Sequence, residues 1–137
     1  MANSPGPISQ PAQIDIAAQT SLSADLCQAL IRANYPKGED YVQSVNFLAF
    51  QMDAPSAYED SYANDQSATY ARGHSVMAAP VHAVFTVLKH YQDPFADDEL
   101  RKYDAQYKCF KSHTTGWTIK MISRLPGGET AQYIHKK

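Results

Sequence analysis

The sequence predicts an α+β domain: N-terminal helices packed on a curved antiparallel β-sheet that ends in a three-stranded meander. Three observations carry this. Apolar residues recur at helical spacing before residue 53 and at a spacing of two after residue 80. Turn residues (Asp93-Pro94, Gly116, Pro126-Gly127-Gly128) divide the second half into strand-length pieces. Helices precede strands, the order expected when helices lie on one face of an antiparallel sheet.

Residues 1–20 carry Pro5, Pro7 and Pro11 among Ser, Gln, Asn and Gly, which predicts an extended, mobile arm. Residues 21–137 then form one α+β domain, with no internal repeat and no second domain. Ser21 and Ser23 are candidate N-caps of a helix to about Asn34, with Leu22, Leu26, Ala29, Leu30 and Ala33 on one stripe and Cys27 at its edge. Pro36 and Gly38 stop it. Tyr41, Val45, Leu48 and Met52 predict a second helix capped by Asp40 and ended by Pro55, with a strand as the competitor. Residues 56–72 are rich in Tyr, Asp, Asn, Ser and Ala and read as a surface segment, with a short helix around Tyr58 and Tyr62.

From Pro80 the period is two. Val81, Ala83, Phe85, Val87 and Tyr91 share one face; His82, Val84, Thr86, Leu88 and His90 share the other. Apolar residues on both faces predict a strand covered on both sides. Asp93-Pro94 breaks it. Tyr103, Ala105, Tyr107 and Cys109 alternate with Lys102, Asp104, Gln106 and Lys108 in the next strand, Leu100 to Lys111. A loop at His113–Gly116 leads to a third strand with Trp117, Ile119 and Met121 on one face. Pro126-Gly127-Gly128 is expected to end it, leaving an edge strand or a loose tail.

A chain of 137 residues with 44% apolar and 19% charged residues has enough apolar material for one core without metals. Net charge is −2 with no basic cluster beyond Lys136-Lys137, which argues against a nucleic-acid partner. No apolar run reaches the ~20 residues of a bilayer span, so no transmembrane segment is expected. No signal peptide is visible, which leaves a cytosolic protein or a chain from which a leader or anchor was removed. Cys27 and Cys109 both fall on apolar faces. They are either two buried free thiols or one disulfide tying helix to sheet, and the disulfide would place the protein in an oxidising compartment, periplasmic or secreted.

Gly116-Trp117-Thr118-Ile119-Lys120, preceded by Tyr103 to Lys111 and by Val81 to Tyr91, resembles the closing strands of the nuclear transport factor 2-like, cone-shaped α+β fold; cystatin-like domains share the same half. The resemblance implies helices packed into a curved sheet. In active relatives it implies a cavity with an Asp or His base and one or two Tyr donors. Such a group also holds adaptors, secretion-machine periplasmic domains and dimer modules, so the fold names no function.

Chemical motifs are sparse. His82 and His90 are separated by about 26 Å along a strand, so they cannot share an ion. No HExxH, CxxC or GxSxG is present, and no metal or cofactor is expected. Asp93, Asp97, Asp98 and Glu99 read as a solvated acidic turn. The inward face offers Tyr91, Tyr103, Tyr107 and Trp117 as binding residues for a ligand or partner, without a carboxylate of matching parity, since Asp104 points the other way. The sequence therefore favours a non-catalytic binding or assembly domain, a component of a larger complex or a dimer module, with a protein partner or self-association. The alternatives are a small-molecule isomerase, dehydratase or hydrolase with a Tyr/His-lined pocket, and an inhibitor or immunity-type protein.

Overall fold

A computed structural model describes residues 14–59, 75–112 and 115–136. Ser23 starts the one α-helix among them, α1 (Ala24–Arg32): its side chain accepts from the Leu26 backbone N–H at 3.1 Å. Asp25 in the first turn and Arg32 in the last complement the helix dipole. Leu26, Cys27, Leu30 and Ile31 form the buried stripe. Before the helix, a 3₁₀ turn (Ile16–Ala18) is capped by Asp15. Ile14 and Ile16 pack on the core, and the Trp117 indole N–H donates to Gln19 O at 2.9 Å. The folded part thus begins before residue 21; residues 1–13 lie outside the described residues.

The second helix predicted over 40–52 is instead a strand, β1 (Tyr41–Met52), so a single helix, not several, packs on the sheet. The reason is a β-bulge. Val45 and Phe47 point to the core, the register then slips at Leu48, and Phe50 and Met52 take the core side. One extra residue breaks the period of two and leaves apolar spacings that imitate a helix. Pairing with β3 over the whole length of β1 overrides that local pattern.

β2 (Ser56–Glu59) follows and pairs with the first part of β3 (Ser75–Tyr91), while β1 pairs with the rest of the same edge. The break between β1 and β2 falls opposite Pro80. Its carbonyl accepts from Asp53 N at 2.8 Å, so its missing N–H faces the one place where β3 meets no regular ladder. The expected helix around Tyr58 is not formed at 56–59, where the chain is strand; residues 60–74, with Tyr62, lie outside the described residues.

β4 (Asp98–Ser112) and β5 (Gly116–Ile134) complete an antiparallel sheet of order β1-β3-β4-β5. Consecutive β3, β4 and β5 are the predicted meander. β5 does not end at Pro126-Gly127-Gly128. Tyr103 pairs with Glu129 and Ala105 with Arg124, so residues 125–128 bulge out of the ladder opposite Asp104 and the strand resumes. Gly127 has φ +68°, and a Cβ on Gly128 would lie 2.5 Å from Leu125 O and 2.6 Å from Asp104 O. Only glycine permits both.

The core lies between α1 and one face of the sheet. Phe85 is its centre, with ring centroids 5.5 Å from Phe47, 5.2 Å from Tyr103 and 6.0 Å from Tyr35. The other face is less covered than its composition predicts. Val84, Thr86 and Leu88 are half-buried, and only near Phe110, fully buried beside Tyr58, does that face close. Arg32 lies over the Phe47 ring at 4.9 Å; its Nε and Nη2 are buried without a hydrogen-bond partner, and burial pulls its pKa below the ordinary value.

Candidate functional site

α1 covers only part of the sheet face it packs on. The chain leaves the helix at Tyr35, and beyond that ring the same face is charged and tyrosine-rich. A cavity of about 100 Å³ is lined by Tyr35, Gln43, Val87, Lys89, Glu99, Arg101 and Tyr103. A wider depression of about 480 Å³ adjoins it at Arg101 and runs along the bulge of β5, past Arg124, Gly127, Gly128 and Glu129.

Strand register builds this groove. Lys89 pairs with Glu99, and Tyr103 with Glu129, so alternate residues of β3, β4 and β5 project from one face. Glu99 lies 3.9 Å from Lys89 and 2.5 Å from Arg101. Glu129 accepts from Arg101 at 3.1 Å and from Arg124 at 2.8 Å. Five charges thus alternate in sign across three strands. At the open end, Tyr41 and Tyr91 meet edge to face at 5.8 Å, with Lys89 over the Tyr41 ring at 4.6 Å. Phe95 and Tyr133 are 88% and 63% exposed at the same end of the sheet.

The groove tyrosines Tyr35 and Tyr103, and Tyr107 of the adjoining core, are donors. Burial pushes the Tyr35 hydroxyl above its ordinary value, reinforced by Tyr103 and Tyr107; burial pushes Tyr107 up to about 12, and raises Tyr103 with help from Glu129. They stay protonated at neutral pH, so they offer O–H groups rather than bases.

The four predicted binding residues separate. Tyr103 is in the groove and Tyr91 is at its rim. Tyr107 is buried under α1. Trp117 sits far away at the start of β5: from Glu99, level with Lys89, to Lys111, level with Trp117, β4 runs about 40 Å. Parity extended two steps back from Tyr103 finds Arg101 and Glu99; Arg124 and Glu129 are legible only once the bulge is known.

The acidic turn is not simply solvated. Asp98 and Glu99 are each 9% exposed. Asp98 accepts from His90 Nδ1 at 2.8 Å, Lys136 Nζ at 3.0 Å and Tyr91 N at 3.2 Å. Lys136 Nζ also donates to Tyr91 O and Asp93 O, which ties the end of β5 to the β3–β4 connection. His135 pairs with Asp97 at 3.0 Å.

His82 lies on the opposite face, where its Nε2 meets Asp104 Oδ1 at 2.6 Å beside a cavity of about 170 Å³. The sheet stands between His82 and Tyr103, so these two cannot line one pocket. Cys27 and Cys109 are free and fully buried. Cys109 is hydrogen-bonded to Cys27, which together with burial raises its pKa, and Cys27 Sγ donates to Met52 Sδ at 3.7 Å. Among the described residues no group of three or more His, Cys, Asp or Glu is placed to hold a metal, and no helix is long and apolar enough to cross a membrane. Comparison with protein-family models, with curated proteins and with solved structures finds no match.

Proposed function

We propose that this chain is a binding or assembly domain that docks a protein partner along the open part of its helix-side face. The observation that carries it is the composition of that face. Tyrosine and arginine, the residues that anchor protein interfaces, line a groove left open beyond Tyr35, and it leads to exposed Phe95 and Tyr133. The arginines are held in place by carboxylates, so little side-chain freedom is lost on docking. The three cations Lys89, Arg101 and Arg124 against the two carboxylates Glu99 and Glu129 leave the face one positive charge in excess, which suits an acidic segment.

Photo-crosslinking tests this in the cell that makes the protein, with p-benzoylphenylalanine in place of Tyr133 or, as control, of Lys102 on the opposite face. One defined protein adduct from position 133, absent from position 102 and lost with Arg101→Glu, is the expected result. Adducts that are the same from both positions, or none from position 133, refute it. An adduct of twice the chain mass would make the partner a second copy.

A further inference from the structure

The charges in the groove do not balance, and the place of the imbalance is specific. In order across the sheet they run Lys89, Glu99, Arg101, Glu129, Arg124: a cation stands at each end and one anion is wanting. Among the described residues the only acidic partner at the Arg124 end is Glu129, held through Nη1, while Nη2 meets the thioether of Met121 at 4.0 Å, a weak acceptor. That guanidinium is half-exposed beside the 480 Å³ depression. The depression is donor-rich: Arg101 and Arg124 line it, and at Gly127 nothing stands within 4 Å of the place a Cβ would take. Among the described residues Glu129 supplies its one acidic side chain and bridges both arginines, each with a different oxygen.

Resting on the docking reading above, we propose that the Arg101–Arg124 seat beside the Gly127-Gly128 bulge takes a carboxylate of the partner, an acidic side chain or a chain end, and that Glu129 is the internal carboxylate holding the two arginines when the partner is absent. A planar carboxylate matches the fork of a guanidinium. The incoming group either adds to the free donors of Arg124 or displaces Glu129. In both cases Glu129 competes with it by charge. Removal of the Glu129 charge must then strengthen binding, whereas a residue with a merely structural role would weaken it or leave it unchanged.

The probe is fluorescein-labelled hexaglutamate, with hexaglutamine as the neutral control, read by fluorescence anisotropy at low salt on the full chain. Hexaglutamate is expected to bind about ten-fold more tightly than hexaglutamine, and to weaken as salt screens the half-exposed site. Arg124→Gln should weaken it about five-fold, the scale of one exposed charge pair. Glu129→Gln should tighten it by a similar factor. Lys102→Gln, the same charge loss on the opposite face, should change it less than two-fold, and circular dichroism establishes that each variant is folded. Equal weakening by Arg124→Gln and Lys102→Gln would reduce the effect to net charge and overturn the seat, as would weaker binding by Glu129→Gln. Citrate that displaces the peptide at a concentration below the peptide's own half-saturation would keep the seat and make its carboxylate that of a free small acid. Loss of the Arg124 effect while the position-133 crosslink persists removes the seat alone; loss of the crosslink while the Arg124 effect persists removes the docking reading alone.

Discussion

Gly128→Ala tests whether the β5 bulge is a built feature of the groove. A Cβ there would stand 2.5 Å from Leu125 O and 2.6 Å from Asp104 O, both main-chain atoms, the first in the bulge itself and the second in β4 opposite it. Each must retreat by about half an ångström merely to reach 3.0 Å. Forced overpacking costs about 1–3 kcal/mol, and a lost ladder bond beside Asp104 adds about 1 kcal/mol. The sum, about 3 kcal/mol, lowers Tm by about 10 °C for a chain of this size. Gly127→Ala is the control: its φ of +68° is strained for alanine but the space is open, so the expected cost is about 1 kcal/mol. Thermal unfolding followed by circular dichroism measures both. A Gly128→Ala protein that melts within about 3 °C of the parent, or above Gly127→Ala, refutes the close approach. If the bulge shifts, Gly128→Ala should also weaken hexaglutamate binding, because Arg124 and Glu129 flank it.

Three further outcomes are expected. The His90 hydrogen bond, with Lys136 and the Tyr91 N–H, holds Asp98 down to about 2 from an ordinary 3.8. A depressed folded-state pKa contributes stability above the unfolded value that is lost as pH falls through the folded one. Asp98→Asn should therefore flatten the fall of Tm between about pH 4 and pH 2, and an unchanged acid limb would exclude Asp98 as its source. The buried, mutually bonded thiols of Cys27 and Cys109 should resist a thiol reagent in the native state and titrate as two in denaturant. Refolding with glutathione disulfide should join them with release of two glutathione molecules and stabilise by about 4 kcal/mol, whereas glutathione adducts alone would show that the pair cannot close. Trp117→Phe keeps an aromatic ring but loses the bond to Gln19 O; a cost of at least about 1 kcal/mol and faster proteolysis ahead of residue 20 are expected.

Helix α1 was legible because its signals are local: Ser23 caps it, Leu26, Cys27 and Leu30 lie on its buried stripe, and Pro36 follows, although the buried Ile31 was not read onto that stripe and Ala33, which was, is exposed. The faces of β3 and β4 were legible for the same kind of reason, since side chains alternate at every step of a strand. Parity correctly put Tyr103 and Tyr107 inward and His82 and Asp104 outward. It did not show that His82 and Asp104 meet, because that depends on how two strands slide past each other. The disagreement at β1 has one cause, the extra residue Leu48, which turns a strand's pattern into a helix-like one.

The groove was mostly out of reach from sequence. Charged residues at inward positions look like surface until partners twenty or more residues away arrive beside them, as Glu129 does beside Arg101. The Pro126-Gly127-Gly128 run looks like the end of a strand because proline and glycine disfavour strand locally, yet ladder bonds on both sides carry β5 through it. The sequence by itself determined the capped helix, the strand faces and the closing meander, all set by interactions within a few residues. The tertiary structure alone decided that β1 is a strand, that β5 continues past its bulge, and that Arg101, Glu129 and Arg124 converge. Those depend on long-range register, whose hydrogen bonds and burial outweigh local preference.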